Sequence, residues 1–486
     1  MQQPFGMRET LLAFLVFIVA AGLRVGYVLV VVGDLQREPP FQVQDPQAAI
    51  NVIRTNFKES DKEKTGWLAF GVTEHDRLVI NVSDSNWYGC RAILADQEEV
   101  TAHISPGYVS LVGYLLRLVG NPGTTTQILV WTQCLLGTVT CVMYFLFARL
   151  ASGSTLVGGL AGVLTAIHPF WIVNVAELQD GTLTCFLLVC ILFLGTAAVN
   201  SASPVASFFF GGALAGMSLV RAALLPFSFV ACIWVLLRCR NQHRGWMCAL
   251  LVFLGFGNGL APWTVRNFQV YGTLLPVTDS VFVHMWMGNN PAANGGPQNE
   301  SDLRKALKPE RLQSLLAEKD QARRYRLLGE DVWESVTSQP ATMTIEKRSR
   351  SGLGFVFGNA WLQLPSFSQV FARQDAPAGP TTVLFFDMNR EDLPSWIKSG
   401  LPPMMSGMLM FMLLFGLLGW RWNYGLSQAV SLSSLAMLWI PLPYILSHAE
   451  LFSGPRLPLD GVLLSYAAFA LAWLLPGFRP NRITGW

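Results

Sequence analysis

The residues best suited to chemistry in this 486-residue chain are few and clustered. Asp84 and Tyr88 stand four apart in a long polar stretch, and His103 follows in the same stretch. Glu177 and Asp180 stand three apart just before an apolar run, and Arg221, Arg266 and Arg456 mark the ends of other apolar runs. A carboxylate can take a proton from an attacking hydroxyl, and a guanidinium can grip two oxygens of an anionic leaving group. Together they suit group transfer to a nucleophile with departure of an anion.

Each candidate also has a plainer reading. Asp84, in Ser83-Asp84-Ser85-Asn86-Trp87-Tyr88 and ahead of an apolar pattern through Ala92, Ile93 and Leu94, fits a helix N-cap. Glu177 and Asp180 share a helical face, where they orient a substrate or favour a helix N-terminus. The three arginines hold phosphate or reach from a bilayer toward its headgroups, and Arg266 can instead brace the turn out of its span with Asn267. Arg24, inside the first apolar run, calls for a structural partner or a polar face. His103 and His448 could assist catalysis or bind a metal, but neither lies in a recognisable metal-ligand spacing. No metal residue is assigned, and a divalent metal stays open as a cofactor. Trp131, Trp171, Trp263 and Trp286 are read as interfacial anchors, whereas Trp87 could stack on a sugar.

What must position these groups is a bilayer-spanning scaffold. Hydrophobic residues make up 52% of the chain and charged residues 13%, against roughly 25% charged in soluble domains. Apolar stretches near 20 residues recur at 11–32, 126–148, 155–174, 181–199, 206–221, 222–238, 246–266, 403–420, 427–446 and 461–476. The expected fold is therefore an all-α polytopic membrane protein with about ten transmembrane helices. Polar stretches cannot lie in hydrocarbon, so 33–120 and about 269–400 are two large extracytoplasmic loops. Within them, 106–120 reads as an interfacial helix and 352–370 as interfacial or re-entrant. The division is a module at 1–268 carrying the first loop, the second loop at 269–400, and C-terminal helices at 401–486.

Short-loop cations set the orientation. Arg238, Arg240, Arg244, Arg421, Arg479 and Arg482 fall on one side if both termini are cytoplasmic, which places the polar candidates on the outward face of a cell (cytoplasmic/inner) membrane. The eight cysteines form no disulfide framework or paired metal motif, and the charge distribution gives no reason for a nucleic-acid role. An inverted duplication of the transporter kind is not evident.

The spacing of several motifs resembles the GT-C glycosyltransferases, the superfamily of protein O-mannosyltransferases and lipid A aminoarabinose transferases. Asp84 and Tyr88 match an Asp-x-x-x-Tyr of the first outer loop, and Pro106-Gly107-Tyr108 matches the start of an interfacial helix. The fullest match is Pro262-Trp263-Thr264-Val265-Arg266-Asn267, then Tyr271-Gly272, Leu275-Pro276 and Gly288-Asn289-Asn290-Pro291. Glu177-Leu178-Gln179-Asp180 and Arg456-Leu457-Pro458-Leu459 complete it. The chain departs from the pattern at Ser85, where many relatives have a second acid, and at Val281-Phe282-Val283, where many have Gly-Gly.

The resemblance implies a GT-C-like, inverting glycosyltransferase of hexosyl or pentosyl type. Asp84 would be the catalytic base and Arg456, Arg266 and Arg221 would hold the donor phosphate. Tyr88, His103, Tyr108, Glu177, Asp180, Asn267 and Asn289 would bind substrate. The implied partners are a polyprenyl-phosphate-linked sugar, a lipid, glycan or protein acceptor, and membrane lipids. The alternatives are a transporter or flippase for a lipid-linked glycan, which would place ionisable residues at the membrane midplane, and a non-catalytic binder of lipid-linked sugar.

Overall fold

The computed structural model describes residues 6–35, 78–79, 81–83, 88–90, 93–95, 99–242, 244–296, 298, 300–357, 382–383, 386–387, 395–423, 428–449 and 454–475. Helices dominate. The membrane-type helices are α1 (Met7–Leu35), α3 (Pro122–Ser152), α4 (Thr155–Ala166), α5 (Pro169–Asn174), α6 (Gly181–Ser201), α7 (Pro204–Val220), α8 (Leu225–Cys239), α9 (Gly245–Tyr271), α15 (Ser395–Asn423), α16 (Gln428–Trp439), α17 (Leu442–Leu446) and α18 (Leu457–Trp473). The polar loops add α2 (Pro106–Val119), α10 (Val281–Asn289), α11 (Glu300–Lys305), α12 (Pro309–Ala317), α13 (Gln321–Ser338) and α14 (Ala341–Phe357). Two small hairpins pair β1 (Gly89–Cys90) with β2 (Glu99–Val100), and β3 (Thr382–Val383) with β4 (Phe386–Asp387).

Among the described residues, seven helices are long and apolar enough to cross a membrane, and four shorter apolar helices accompany them. This is a polytopic membrane protein. Every apolar stretch expected to span coincides with a helix, but two are broken. The 155–174 stretch divides at Ile167-His168, just before Pro169, and the 427–446 stretch divides at Ile440-Pro441. Proline removes a backbone donor and crowds the preceding turn, which hydropathy alone does not register.

Small residues let the helices approach closely. A Cβ on Gly211 would lie 2.1 Å from the Val252 carbonyl oxygen, and one on Gly255 would lie 2.2 Å from that of Phe208, so α7 and α9 cross backbone against backbone. The same device joins α15 to α18, where a Cβ on Gly419 would meet the Tyr466 carbonyl oxygen at 1.9 Å. The core between these helices holds Tyr144, Phe210, Phe227, Leu432 and Val462, all fully buried.

Arg24 finds its polar partners inside the bundle. It is fully buried, donating from Nη1 to the carbonyls of Ala20 and Ala166 and from Nη2 to Cys141 Sγ. Backbone oxygens thus answer this cation, a structural pairing of the expected kind.

The second loop forms a helical cap with its own core of Val283, Trp286, Leu303, Leu315, Tyr325 and Leu328. Leu94, from the first loop, is fully buried in that core, and its amide donates to Glu300 Oε1 at 3.1 Å. The expected helix through Ile93 and Leu94 is not formed. Those residues make a turn, with Leu94 at a left-handed φ of 62°, and the chain around them folds as the β1–β2 hairpin. Tertiary anchoring overrides the local helical pattern there. α14 ends at Phe357, and the rest of the stretch through 385 lies outside the described residues save for 382–383.

Candidate functional site

The motif at the end of α9 is a clamp for the chain that follows it. Trp263 Nε1 donates to the Val277 carbonyl at 2.7 Å, and Thr264 Oγ1 to that of Pro276 at 3.1 Å. Asn267 Nδ2 donates to the carbonyls of Leu275 and Val277 at 3.0 and 3.1 Å. Gly272, at φ 63°, closes the helix in the left-handed conformation that glycine adopts readily. Trp263, Thr264 and Asn267 thus interlock with residues 275–277 in one turn.

Arg266 fastens the first loop to this turn. Its Nη1 donates to the Thr101 carbonyl at 3.0 Å and to Asn267 Oδ1 at 2.9 Å, and Nη2 donates to the Tyr88 carbonyl at 3.2 Å. The guanidinium also lies 4.7 Å from the centre of the Trp263 ring and 5.6 Å from that of Tyr88. Tyr88 is buried and donates its hydroxyl to the Ile104 carbonyl at 3.0 Å. Burial, with Cys90 next, raises its pKa well above the usual phenol value, so it acts as a hydrogen-bond donor.

A second group gathers where α6 begins and α7 ends. Arg221 donates from Nε to Asp180 Oδ2 at 2.8 Å and from Nη2 to Oδ1 at 2.5 Å, a fork matched to a carboxylate. Its Nη1 reaches the Gly454 carbonyl at 3.1 Å. Glu177, one turn before Asp180, is buried, and its desolvation raises the carboxyl pKa well above the usual range. Gln133 secures that turn by donating to the carbonyls of Val175 and Glu177, and it accepts from the Tyr108 hydroxyl at 3.4 Å.

Arg456 sits two residues beyond Gly454 and is almost wholly enclosed, at 2% exposure. It donates from Nε to Asp460 Oδ1 at 2.8 Å and from Nη2 to Oδ2 at 3.3 Å, and Nη1 bonds the Val356 carbonyl. His168 Nε2 meets Asp460 Oδ2 at 3.0 Å, and the Arg456 guanidinium lies 4.8 Å from the Phe170 ring centre. Sequence reasoning missed Asp460 and His168. The signals were the four-residue spacing from Arg456 to Asp460 and a histidine just before a proline inside an apolar run.

Under the helical cap, three histidines line up. The His103 and His284 rings stack at 6.2 Å, and those of His284 and His448 at 5.3 Å. His448 Nδ1 lies 3.1 Å from the Ala449 carbonyl, which it can reach only by donating, so its Nε2 accepts from His284 Nδ1 at 3.0 Å. Burial lowers the His448 pKa, in keeping with that neutral form. His284 Nδ1 and His448 Nε2 are thus taken up by their contact with each other. Among the described residues, no group of three or more His, Cys, Asp or Glu could hold a metal ion, so the described ligands do not complete a metal site.

Asn289 and its neighbours lock the cap to the bundle. Asn289 Nδ2 donates to the carbonyls of Met285 and Leu446, its Oδ1 accepts from Arg348, and its own carbonyl accepts from Ser335 Oγ and Gln339 Nε2. Asp279 is a further buried carboxyl that sequence reasoning missed. Gln321 donates to its Oδ1 at 3.3 Å, while Oδ2 has no hydrogen-bond partner, and burial raises its pKa to about 7.

The structure thus draws Tyr88, Arg266 and Asn267 into one cluster, and Tyr108, Glu177, Asp180, Arg221 and Arg456 into a neighbouring one. Ser105 Oγ links them by accepting from the Ala222 amide at 2.9 Å. His103 and Asn289 belong to the cap side. Asp84 lies outside the described residues. Val82 and Tyr88, on either side of it in sequence, belong to one buried cluster with Val109 and Val112 of α2.

These features define a polytopic helical membrane protein in which Tyr88, Asp180, Arg221 and Arg266 gather at helix ends and in the loops that join them. Among solved structures it is similar to an oligosaccharyltransferase from Archaeoglobus fulgidus in the apo form, with 13% identity, 97% of this chain and 51% of that chain covered, and a TM-score of 0.48. The archaeal oligosaccharyltransferase AglB from the same organism, in complex with an inhibitory peptide and a dolichol-phosphate, matches at 11% identity over 96% of this chain and 51% of that one, with a TM-score of 0.49. ArnT from Cupriavidus metallidurans bound to undecaprenyl phosphate matches at 12% identity over 82% and 73% of the two chains, with a TM-score of 0.30. The chain spans about half the length of the archaeal structures. No family model matches the sequence, and no curated protein matches it.

Proposed function

We propose that this protein is an inverting glycosyltransferase that moves a sugar from a polyprenyl-phosphate donor to an acceptor at the outward face of a cell membrane. The observation that carries this reading is the Arg221–Asp180 fork beside Glu177, a cation and carboxyls held at the loop end of an apolar bundle. A lipid phosphate needs such a place, with its chain among the helices and its charge at their ends. Arg221 is the arginine best placed to hold it, since Arg456 is enclosed by Asp460 and the Val356 carbonyl, and Arg266 secures the first loop.

A polyprenyl phosphate is already a good leaving group, so the transfer requires a base for the acceptor and a cation for the phosphate rather than a strong acid. Asp84 would take the acceptor's proton as it attacks the anomeric carbon from the face opposite the phosphate, inverting that centre in one step. A flippase is the second reading, favoured by Arg24, His168 and Asp460 buried among the apolar helices.

The experiment is sugar transfer from radiolabelled polyprenyl-phosphate sugars by purified protein in nanodiscs, comparing wild type with Asp84→Asn. Transfer by wild type, abolished in Asp84→Asn with donor binding intact, supports the enzyme and its base together. Donor movement between leaflets without sugar transfer would replace this reading with the flippase.

A further inference from the structure

Asp180 occupies a helix-capping position without capping. Its carbonyl accepts from the Thr184 amide at 2.8 Å and from Thr184 Oγ1 at 2.9 Å, as the residue before α6 should, yet its carboxylate makes no cap hydrogen bond. Its backbone is already helical, at φ −71° and ψ −8°, rather than extended as in a capping residue, so the carboxylate suits the helix N-terminus by its charge alone. Here both oxygens go to Arg221 instead, with the two side chains 15% and 20% exposed for arginine and aspartate. The pair is sheltered but reachable, and the helix N-terminus beside it favours a carboxylate whether or not Arg221 holds it.

We propose that Asp180 is a placeholder for the phosphate of a polyprenyl-phosphate lipid, which displaces it from Arg221. This rests on the reading above that the protein binds such a donor. A phosphate presents to a guanidinium the same paired-oxygen geometry as a carboxylate, so Arg221 can exchange one partner for the other. Its third nitrogen, on the Gly454 carbonyl, keeps the side chain anchored throughout. The released Asp180 stays at the N-terminal end of α6, where a negative charge is favoured. Neither charge is left bare during the exchange, and no covalent bond changes.

The arrangement also sets selectivity. Donor affinity becomes the difference between two forked pairs, so a headgroup must offer two free anionic oxygens to compete with Asp180. A neutral polyprenol gains nothing from Arg221. Inorganic phosphate has the right oxygens but no chain to place among the helices.

The test is binding of undecaprenyl phosphate to the full chain in nanodiscs, for wild type, Asp180→Asn, Arg221→Gln and the double variant. Asp180→Ser serves as a second uncharged variant, and thermal melting reports folding. Removing the competing carboxylate should tighten binding about tenfold in both Asp180 variants, and Arg221→Gln should weaken it by about as much. Asp180→Asn should have no effect in the Arg221→Gln background, because the exchange needs Arg221.

Unchanged or weaker binding in folded Asp180→Asn and Asp180→Ser, with Arg221→Gln impaired, overturns the placeholder while leaving the donor reading standing. Tightening that persists without Arg221 reveals a general charge effect and overturns it too. Competition by inorganic phosphate at the lipid's own affinity overturns the lipid assignment. If wild type and all variants fail to bind undecaprenyl phosphate, the donor reading falls first.

Discussion

Arg324 grips Glu99 with both arms of its guanidinium, Nη1 to Oε1 at 2.7 Å and Nη2 to Oε2 at 3.0 Å, across 225 residues of sequence. Glu99 lies on β2 of the first loop and Arg324 on α13 of the second, so the pair binds the two loops into one body. Arg324 is 3% exposed, and its Nη2 also donates to the Glu318 carbonyl at 2.8 Å. Breaking a buried pair from one side leaves an unanswered charge, a cost of about 3–5 kcal/mol. Glu99→Gln should therefore loosen the hairpin, with faster hydrogen exchange at residues 99–104 and α13 while α6 and α9 keep their protection. Equal protection of the hairpin in variant and wild type would show that the pair holds nothing together.

Asp279 gives the cap a pH dependence whose sign follows from its burial. Its folded pKa, about 7, stands above the usual aspartate value, so the folded protein keeps a proton that the unfolded chain releases near pH 4. The stabilisation is full below that lower value and declines as pH rises toward 7, by about 4 kcal/mol for a shift of this size. Asn mimics the protonated acid in shape and charge. Asp279→Asn should accordingly raise Tm at pH 8 and change it little at pH 4. A uniform shift in Tm across that range would rule out titration of Asp279 as the cause.

Much of the helical scaffold was legible because a bilayer demands long apolar segments, and those segments are visible in sequence. The breaks at His168-Pro169 and Ile440-Pro441 were not, since hydropathy averages over the proline that causes them. The Pro262 to Asn267 motif could be recognised, but its use as a clamp on residues 275–277 depends on a turn that spacing does not reveal. Leu94 shows the same limit. It sits in a helical-looking pattern, yet Glu300 and the cap core hold it at positive φ. His168 and His284 each stand alone in sequence and gain partners only when distant segments meet, whereas Asp460 pairs with Arg456 one turn before it.

Gly288 shows why the Gly-Asn-Asn-Pro element starts with glycine. A Cβ there would fall 1.6 Å from the Ser447 carbonyl oxygen, so the close approach of α10 to the segment after α17 excludes any side chain. Gly288→Ala must push Ser447 and His448 away from α10. The expected outcome is loss of the His284–His448 contact, read as a rise of the His448 pKa toward its ordinary value by NMR, together with a lower Tm. A His448 titration unchanged from wild type would mean that the two backbones can separate without disturbing the histidines.

Arg456 and Asp460 allow structural and binding roles to be separated. Every nitrogen of Arg456 is on a protein acceptor, which favours a role in packing α18 against α5 and the end of α14. Lysine cannot reproduce a two-oxygen grip, so Arg456→Lys should destabilise by about 1–3 kcal/mol. Asp460→Asn leaves the guanidinium without its counter-charge and should cost about 3–5 kcal/mol. Replacing the pair together, as Arg456→Met with Asp460→Leu, removes both charges and should recover most of the Tm lost in the single variants. That double variant should still bind undecaprenyl phosphate, because Arg221 and not Arg456 is assigned to the phosphate. A well-folded double variant that has lost binding would move the phosphate to Arg456 and require the Asp460 pair to open when the lipid enters.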